Sequence, residues 1–457
     1  MCDLCCHCAL SDVRRATVYW DAVQRSVVLK EDAMEEEGDA FGYFNYSLFV
    51  SGWGVLEVQA GYGQFQECDE ITYFLAGHLE GYLTASQMIN HYYNMYPQMI
   101  KDNSVMKPLK CFMMQRPLSM FAVQFLNGIG DLLDLTLIRS SRTYNKSLLG
   151  HSSWFTYSAS MRIYKHWEFS LKNKRNGTSS TIKLFLASFP GILSSLDDFY
   201  LLGTGLFVTQ TTNNVFNSSL FSLVTPEALL AWQRVRVAHV LACTGKQWVS
   251  KYFLSTIQVR QTRVSLGKQI EDWSLTVVEQ IPGLVLYSDQ SSVLRHGYWA
   301  SYNIPFHSDI YRMSGYGVMW EKYGEDFSYD LCPRAKLFRR DQGKVINLDT
   351  LKYITRYNDY RKDPYSKKHP CESICCRNDL RLRRPHPGGC YDTKVTDYHM
   401  AQMFLAEAVN GPTTQNGLPL FSWSRFIRTA HHGLPQTYNF TFITMQPLLF
   451  GSRDQMP

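Results

Sequence analysis

Charge is scarce in this sequence. Asp, Glu, Lys and Arg make up 19% of its 457 residues and leave a formal net charge of +6. An excess this small and dispersed excludes a nucleic-acid surface, because no basic stripe or binding motif concentrates it. Long apolar runs are absent as well. Polar residues interrupt every candidate before the ~18 residues a membrane-spanning helix requires, as Ser51 and Glu57 do around Trp53, so no transmembrane segment is expected. There is no G-x-S-x-G elbow, P-loop or H-E-x-x-H string, which removes the commonest serine hydrolase, nucleotide-binding and zinc protease signatures. The opening Met1-Cys2-Asp3-Leu4-Cys5-Cys6 carries an acid where a signal peptide carries bases, and no apolar core of ~7–15 residues follows. Residues 1–15 therefore read as an atypical N-terminal segment, not as the start of a native precursor.

What is present suffices for a large core. With 45% hydrophobic and 14% aromatic residues, folding needs neither a metal nor a cofactor. Asn-x-Ser/Thr sequons begin at Asn45, Asn145, Asn176, Asn217 and Asn439, and such sites matter only in a chain that enters the secretory pathway. Of twelve cysteines, Cys371, Cys375, Cys376 and Cys390 cluster in a segment containing Pro and Gly. Adjacent thiols rarely share one tetrahedral metal, whereas in an oxidising compartment they pair, so two disulfides of open connectivity are expected. The cysteines at 2, 5, 6 and 8 resemble half of a zinc knuckle, but no second half follows.

Residues 16–30 and 47–62 carry β-branched and aromatic residues broken by polar or glycine bends, the texture of strands and hairpins. From Glu70 to Tyr96, Ile71, Phe74, Leu75, Leu79, Tyr82 and Leu83 recur at helical spacing, which predicts a helix with an interruption near Thr84. A second helix is expected from Thr225, where Thr-Pro-Glu offers an N-cap, a first-turn proline and an early acid. Strand-like runs at 181–189, 201–212 and 274–287 alternate with helical stretches, so the fold class is mixed α/β. Residues 360–390, rich in Lys, Arg, Pro and Cys, read as a solvated, stapled loop. With no repeat and no break in composition, one domain is expected over 16–449, followed by a tail at 450–457.

Two constellations are candidates for chemistry. His151-Ser152-Ser153-Trp154 sets a general-base type of residue beside hydroxyls and a large aromatic, yet an ordinary buried turn explains the same letters. Asp197-Asp198 supplies neighbouring carboxylates, but adjacent side chains diverge on a strand or helix, and a cap or salt bridge explains them as well. A metal-dependent hydrolase built on either aspartate with His151 has no ligand spacing behind it.

Longer strings go further. ATVYWDA, GWGVLEVQAGYG, LAGHLEGYLTA, FLNGIGDLLDL, GHSSWFTYSASMRIYKHWEF, SFPGILSSLDDFYLLGTGL, TPEALLAWQRVRVA, VVEQIPG, GYWASYNIPFH, PRAKLFRRDQGKV, GGCYDTKV and YNFTFITMQPLL run in order from residue 16 to residue 449. Together they resemble the phospholipase B-like family, and from His151 onward the phospholipase B-like 1 branch in particular. The resemblance implies an N-terminal nucleophile hydrolase of αββα sandwich architecture, glycosylated and directed to the lysosome or the exterior. Its substrates would be phospholipids or other acylated molecules. Residues 16–134 would correspond to an N-terminal fragment and 135–449 to a C-terminal one, separated by a cut that exposes a cysteine. Such a cysteine contributes its thiol as nucleophile and its α-amine, with an ordinary pKa of ~7.7–8.0, as base. By the same resemblance, the pocket positions are His151, Trp154, Thr211 or Thr212, Asn303 and Arg334, with Asn303 as oxyanion or α-amine partner and Arg334 as anion clamp.

One departure bears on chemistry. No cysteine occurs between Cys111 and Cys243, and matching the Leu-Ile-basic step puts Asp134 at the nucleophile's place. Matching GDLLDL instead implies that a segment carrying the cleavage site is missing, and two further gaps follow CFMMQ and Trp248. Two functions are therefore weighed: a lipid-directed ester or amide hydrolase impaired by loss of its thiol, and a catalytically inactive lipid-binding glycoprotein or incomplete isoform.

Overall fold

The computed structural model describes residues 12–63, 69–99, 133–141, 146–172, 179–193, 195, 199–224, 231–252, 260–265 and 270–449. Asn145, Asn176, Asp197, Asp198, Thr225 and the cysteines at 2, 5, 6 and 8 lie outside the described residues. The chain opens with the expected hairpin, β1 (Asp12–Asp21) against β2 (Ser26–Glu31). Strand β3 (Ala40–Tyr46) follows, then a one-turn helix α1 (Leu48–Ser51) where only a bend was expected, then β4 (Gly54–Ala60).

Helix α2 (Asp69–Met99) runs on without the break expected near Thr84. The reason is local: Thr84 is buried, and its hydroxyl donates to the Glu80 carbonyl at 2.8 Å, so the polar group is satisfied inside the helix. Next come β5 (Leu133–Ser141), β6 (Lys146–Thr156), β7 (Ile163–Lys172), β8 (Ser179–Ser188), β9 (Phe199–Leu202) and β10 (Leu206–Thr211). Helices α3 (Ala231–Leu241) and α4 (Gly245–Tyr252) precede β11 (Arg260–Ser265), β12 (Leu275–Ile281) and β13 (Leu284–Asp289). The last third holds α5 (Ser291–Arg295), β14 (Tyr298–Ser301), α6 (Ser308–Met313), α7 (Tyr316–Tyr323), α8 (Pro333–Asp341) and α9 (Leu348–Thr355). It closes with β15 (Gly388–Asp397), α10 (Tyr398–Gln402), β16 (Ala406–Asn410) and β17 (Ile443–Met445).

The strands form an 11-stranded sheet, β13-β12-β11-β10-β9-β8-β7-β4-β3-β1-β2, and a six-stranded sheet, β14-β5-β6-β15-β16-β17. Pairing is antiparallel except where β7 lies parallel to β4. Three apolar layers show how the sheets stack. Leu75, Leu79 and Leu83 of α2, Val235 and Ala238 of α3 and Trp248 of α4 share one cluster with Leu56, Val58 and Trp167, which places these helices outside the first sheet. Ile138 and Leu149 meet Tyr164, Phe185, Phe207 and Val277 between the sheets. Leu135, Leu137 and Val395 pack against Phe338 of α8 and Leu351 and Ile354 of α9, outside the second. The fold is thus an αββα sandwich, as the resemblance implies. Each fully buried large apolar side chain contributes ~1.5–3 kcal/mol, and a strand covered on both faces is buried along its whole length, as β12 is.

The 360–390 segment is a stapled loop, solvated at Lys367, Lys368 and 381–386 but anchored between them. Two disulfides, Cys371–Cys376 and Cys375–Cys390, draw it onto the second sheet, where Cys375, Cys376 and Cys390 pack against Trp154. Arg377 is buried there, bonded to Asp379 at 2.7 and 2.8 Å and to the Thr413 and Pro419 carbonyls at 2.6 and 2.9 Å. Its tip at 381–386 is exposed, as are Lys367 and Lys368 ahead of the first disulfide.

His91 on α2 generates a test. It is fully buried, stacks on Phe189 with centroids 5.1 Å apart, and neither ring nitrogen has a hydrogen-bond partner among the described residues. Burial, reinforced by Arg162 and Lys165, lowers its pKa from 6.5 to about 3. Between those values the unfolded chain binds the extra proton, so the stability present above pH 6.5 is lost as pH falls towards 3. At pH 5 that loss amounts to ~2 kcal/mol. Urea denaturation at pH 7 and pH 5 should show the loss in the natural chain and not in His91→Leu. The same pH dependence in both would remove the assignment.

Candidate active site

In the second sheet β5 lies between β14 and β6, and its described residues begin at Leu133. Register sets Leu133 opposite Trp154, Asp134 opposite Ser153 and Thr136 opposite His151. The position that resembles the nucleophile's thus stands at the head of a central strand, beside the HSSW string of β6. The Asp134 side chain lies outside the described residues.

Because side chains alternate along β6, the four residues of HSSW divide between two faces. His151 faces the first sheet: it is fully buried, and its Nε2 meets the Gln210 carbonyl at 2.9 Å, tying β6 to β10. Trp154 faces the outer layer, where the Arg334 guanidinium of α8 lies 4.6 Å from its ring centroid. Arg334 Nη1 donates to Asn303 Oδ1 at 2.9 Å and Nη2 to the Tyr302 carbonyl at 2.5 Å. Asn303 Nδ2 in turn donates to the Thr212 carbonyl at 2.7 Å. Trp154, Arg334, Asn303 and Thr212 therefore form one continuous set of contacts. Thr211 and His151 are not brought into it; the Thr211 hydroxyl bonds Ser301 Oγ instead.

Arg334 is the residue whose surroundings differ most from the expected clamp. It is half-buried, and desolvation pulls its pKa below the usual arginine value, opposed by Cys332 and Glu372 nearby. Its guanidinium is turned to Asn303, Tyr302 and the Trp154 face. A cation bonded to an amide oxygen draws electron density from the amide nitrogen and makes its N–H groups stronger donors. Asn303 has one such N–H on Thr212; its second makes no hydrogen bond among the described residues. The arrangement suits a preorganised donor for a developing oxyanion.

Two supports escaped the sequence reading. Glu279 of β12, fully buried, accepts from the Phe306 N–H, the His307 N–H and His307 Nδ1, each at 2.7 Å, and from Asn213 Nδ2 at 3.4 Å. It staples the loop after β14 to the loop after β10. An acid inside VVEQIPG, the one charged residue of its strand, was its signal. Beside the site, Lys394 Nζ donates to Ser153 Oγ at 2.6 Å and to Asp392 Oδ1 at 2.7 Å, and Arg162 Nε bonds Asp392 Oδ2 at 2.8 Å, all at zero exposure. Asp392 and Lys394 share one face of β15 at strand spacing, but Arg162 lies far away in the chain, and no spacing rule links it to them. Among the described residues no group of three or more His, Cys, Asp or Glu is placed to hold a metal ion, and no helix is long and apolar enough to cross a membrane.

The sequence profile described as Phospholipase B matches residues 40–120 and 135–445. Phospholipase B-like 1 of Bos taurus is 43% identical over an alignment of 510 positions, covering 95% of this chain and 93% of the relative. Phospholipase B of Crotalus adamanteus is 42% identical over 522 positions, covering 96% and 94%. The chain belongs to the phospholipase B family. More distant members of the family align as well: phospholipase B-like protein D of Dictyostelium discoideum is 30% identical over 509 positions, covering 91% of this chain and 89% of that one. Among solved structures the likeness is weak: a mutant conjugated bile acid hydrolase from Clostridium perfringens superposes with a TM-score of 0.34 at 10% identity, over 67% of this chain and 97% of that one. The phospholipase B alignments run over more positions than the 457 residues of this chain, so these relatives carry internal stretches it lacks. The profile match itself breaks between residues 120 and 135, ahead of most of β5.

Removing the Glu279 side chain would leave four donors with no acceptor. Glu279→Ala is expected to cost ~3 kcal/mol in chemical denaturation, since each buried orphaned donor carries a desolvation penalty. A loss below ~1 kcal/mol would show that water or rearrangement serves the loop equally well.

Proposed function

We propose that this chain is a phospholipase B-like protein of the lysosomal or secretory pathway that binds phospholipids or related acylated molecules at the Asn303–Arg334–Trp154 pocket, with hydrolysis of their ester or amide bonds impaired. The reading treats residues 16–449 as one domain, with 16–134 and 135–449 as the counterparts of two fragments. The observation that carries it is the assembly of a polarised amide donor, Asn303, near the head of β5, where matching the Leu-Ile-basic step sets Asp134 and matching GDLLDL implies a missing segment, so that neither match supplies a cysteine. A carboxylate is a far poorer nucleophile than a thiolate, and its attack on the preceding carbonyl would give an anhydride in place of a thioester. Cys332 offers no replacement, because it is buried and burial pushes its thiol up to about 11. Cys243 is exposed beyond the end of α3.

The inactive lipid-binding glycoprotein is the second reading, favoured by the same missing thiol. Turnover separates the two. Expressed as written and held at acidic pH, the chain is expected to remain a single polypeptide and to release no fatty acid from phospholipid above background, while a fluorescent lysophospholipid still binds. Residual release abolished by Asn303→Ala would favour the impaired hydrolase. Two fragments meeting between residues 130 and 150, with a new N-terminal Ser or Thr, would overturn the missing-nucleophile reading altogether. Secretory residence has its own check. Asn217 and Asn439 are exposed, whereas Asn45 lies within β3, paired to both β1 and β4, with its Oδ1 buried. With a working signal peptide, glycan is expected at Asn217 and Asn439, read as a mobility shift on deglycosylation that Asn217→Gln with Asn439→Gln reduces.

A further inference from the structure

The loop that carries Asn303 is held in a conformation that an asparagine does not choose freely. Asn303 has φ of 65°, in the left-handed region. Short polar residues reach that region more readily than others, but it remains unfavourable unless the surroundings impose it. The Arg334 and Thr212 bonds fix its carboxamide, yet neither holds its backbone. Tyr316 does. Its hydroxyl donates to the Asn303 carbonyl at 2.7 Å and accepts from the Asn214 N–H at 3.1 Å. One buried phenol thereby joins the loop after β14 to the loop after β10, the two loops that supply Asn303 and its acceptor Thr212. The phenol is itself fixed. Gly315, with φ of 91°, turns the chain so that Tyr316 opens α7, and the ring packs edge-on against Phe216 with centroids 4.9 Å apart and beside Tyr311 at 5.3 Å.

We infer that Tyr316 is a positioning residue: it holds the Asn303 backbone left-handed so that the second Nδ2 hydrogen faces the oxygen of a bound acyl group. This rests on the acyl-binding reading of the pocket. Tyr316 touches no ligand itself, and its effect passes through Asn303. A ligand that presents a negatively charged oxygen should therefore feel its loss, whereas one with the same alkyl chain and no such oxygen should not.

The full chain tests this with two probes, oleate and oleyl alcohol. Tyr316→Phe keeps the ring packing and removes both hydroxyl bonds. It is expected to weaken oleate binding roughly five- to tenfold and to leave oleyl alcohol within about twofold. Asn303→Ala is expected to weaken oleate comparably, and Tyr316→Phe added to Asn303→Ala to cost nothing more, as for residues acting through one another. Equal weakening of both probes, or full additivity in the double variant, overturns the inference and leaves Tyr316 a packing residue. If the unaltered chain binds neither probe, the acyl-binding reading fails, and positioning is decided without ligand by selective 15N-asparagine labelling. The Asn303 side-chain signals should then move in Tyr316→Phe while those of Asn94 and Asn358, held by other carbonyls, stay in place. Unmoved Asn303 signals overturn it.

Discussion

Strand β6 is covered on both faces, and most of the structure answers to that constraint. Its residues alternate between the inter-sheet layer, reached by Leu149 and His151, and the outer layer, reached by Leu148 and Trp154. A strand with no wet face must pair every polar group it carries. The hydroxyl of Ser152 therefore goes to the Thr355 carbonyl at 3.0 Å and to Thr393 Oγ1 at 2.8 Å, while Ser153 receives Lys394. Gly150 leaves room for α9, since a Cβ there would come within 2.8 Å of Thr355. Helix packing, the disulfide-bound segment and the pocket are all arranged around this one strand.

Charge scarcity takes a structural form in the interior. Several of the ionised groups found there come in compensated sets: Lys165 with Glu80 at 2.6 Å, Arg377 with Asp379 at 2.7 Å, and Asp392 between Arg162 and Lys394. A buried charge without its partner costs several kcal/mol, so ~3–5 kcal/mol is at stake wherever one member is lost. Lys165 with Glu80 and Arg162 with Asp392 link elements far apart in the chain, and each selects one packing among the many that apolar contacts alone would permit. Arg334 follows the same rule with neutral acceptors, a carbonyl, an amide oxygen and an indole face, and that choice makes it a polariser of Asn303.

A scaffold of this kind separates two things a hydrolase needs. In the proposed function, substrate orientation and oxyanion stabilisation would depend on the loops held by Glu279, Tyr316 and Arg334. Bond cleavage would depend on a nucleophile at the head of β5, the place that the Leu-Ile-basic step gives to Asp134. The first could persist without the second because the loops are fastened to the sheets and to each other through these three side chains.

The mixed α/β class, the first hairpin, the long amphipathic helix and the cysteine cluster were all legible in the sequence, because local periodicity and composition encode them. So was family membership, through strings too long to coincide by chance. Periodicity misread Thr84 as a break, since it cannot register a hydroxyl bonded back into its own helix. In 360–390 the exposed charges and the staple were legible, but the buried Arg377–Asp379 pair was not, because charge in a sequence does not reveal its partner. The sequence by itself determined which residue types are available: Trp154, Asn303 and Arg334 are present, and no cysteine occurs between Cys111 and Cys243. Only the tertiary structure decided which of them meet. His151 and Trp154, three residues apart, go to opposite faces of one strand, while Asn303 and Thr212, far apart in the chain, share a hydrogen bond, because face and neighbour are set by sheet register and layer packing, which no local pattern records.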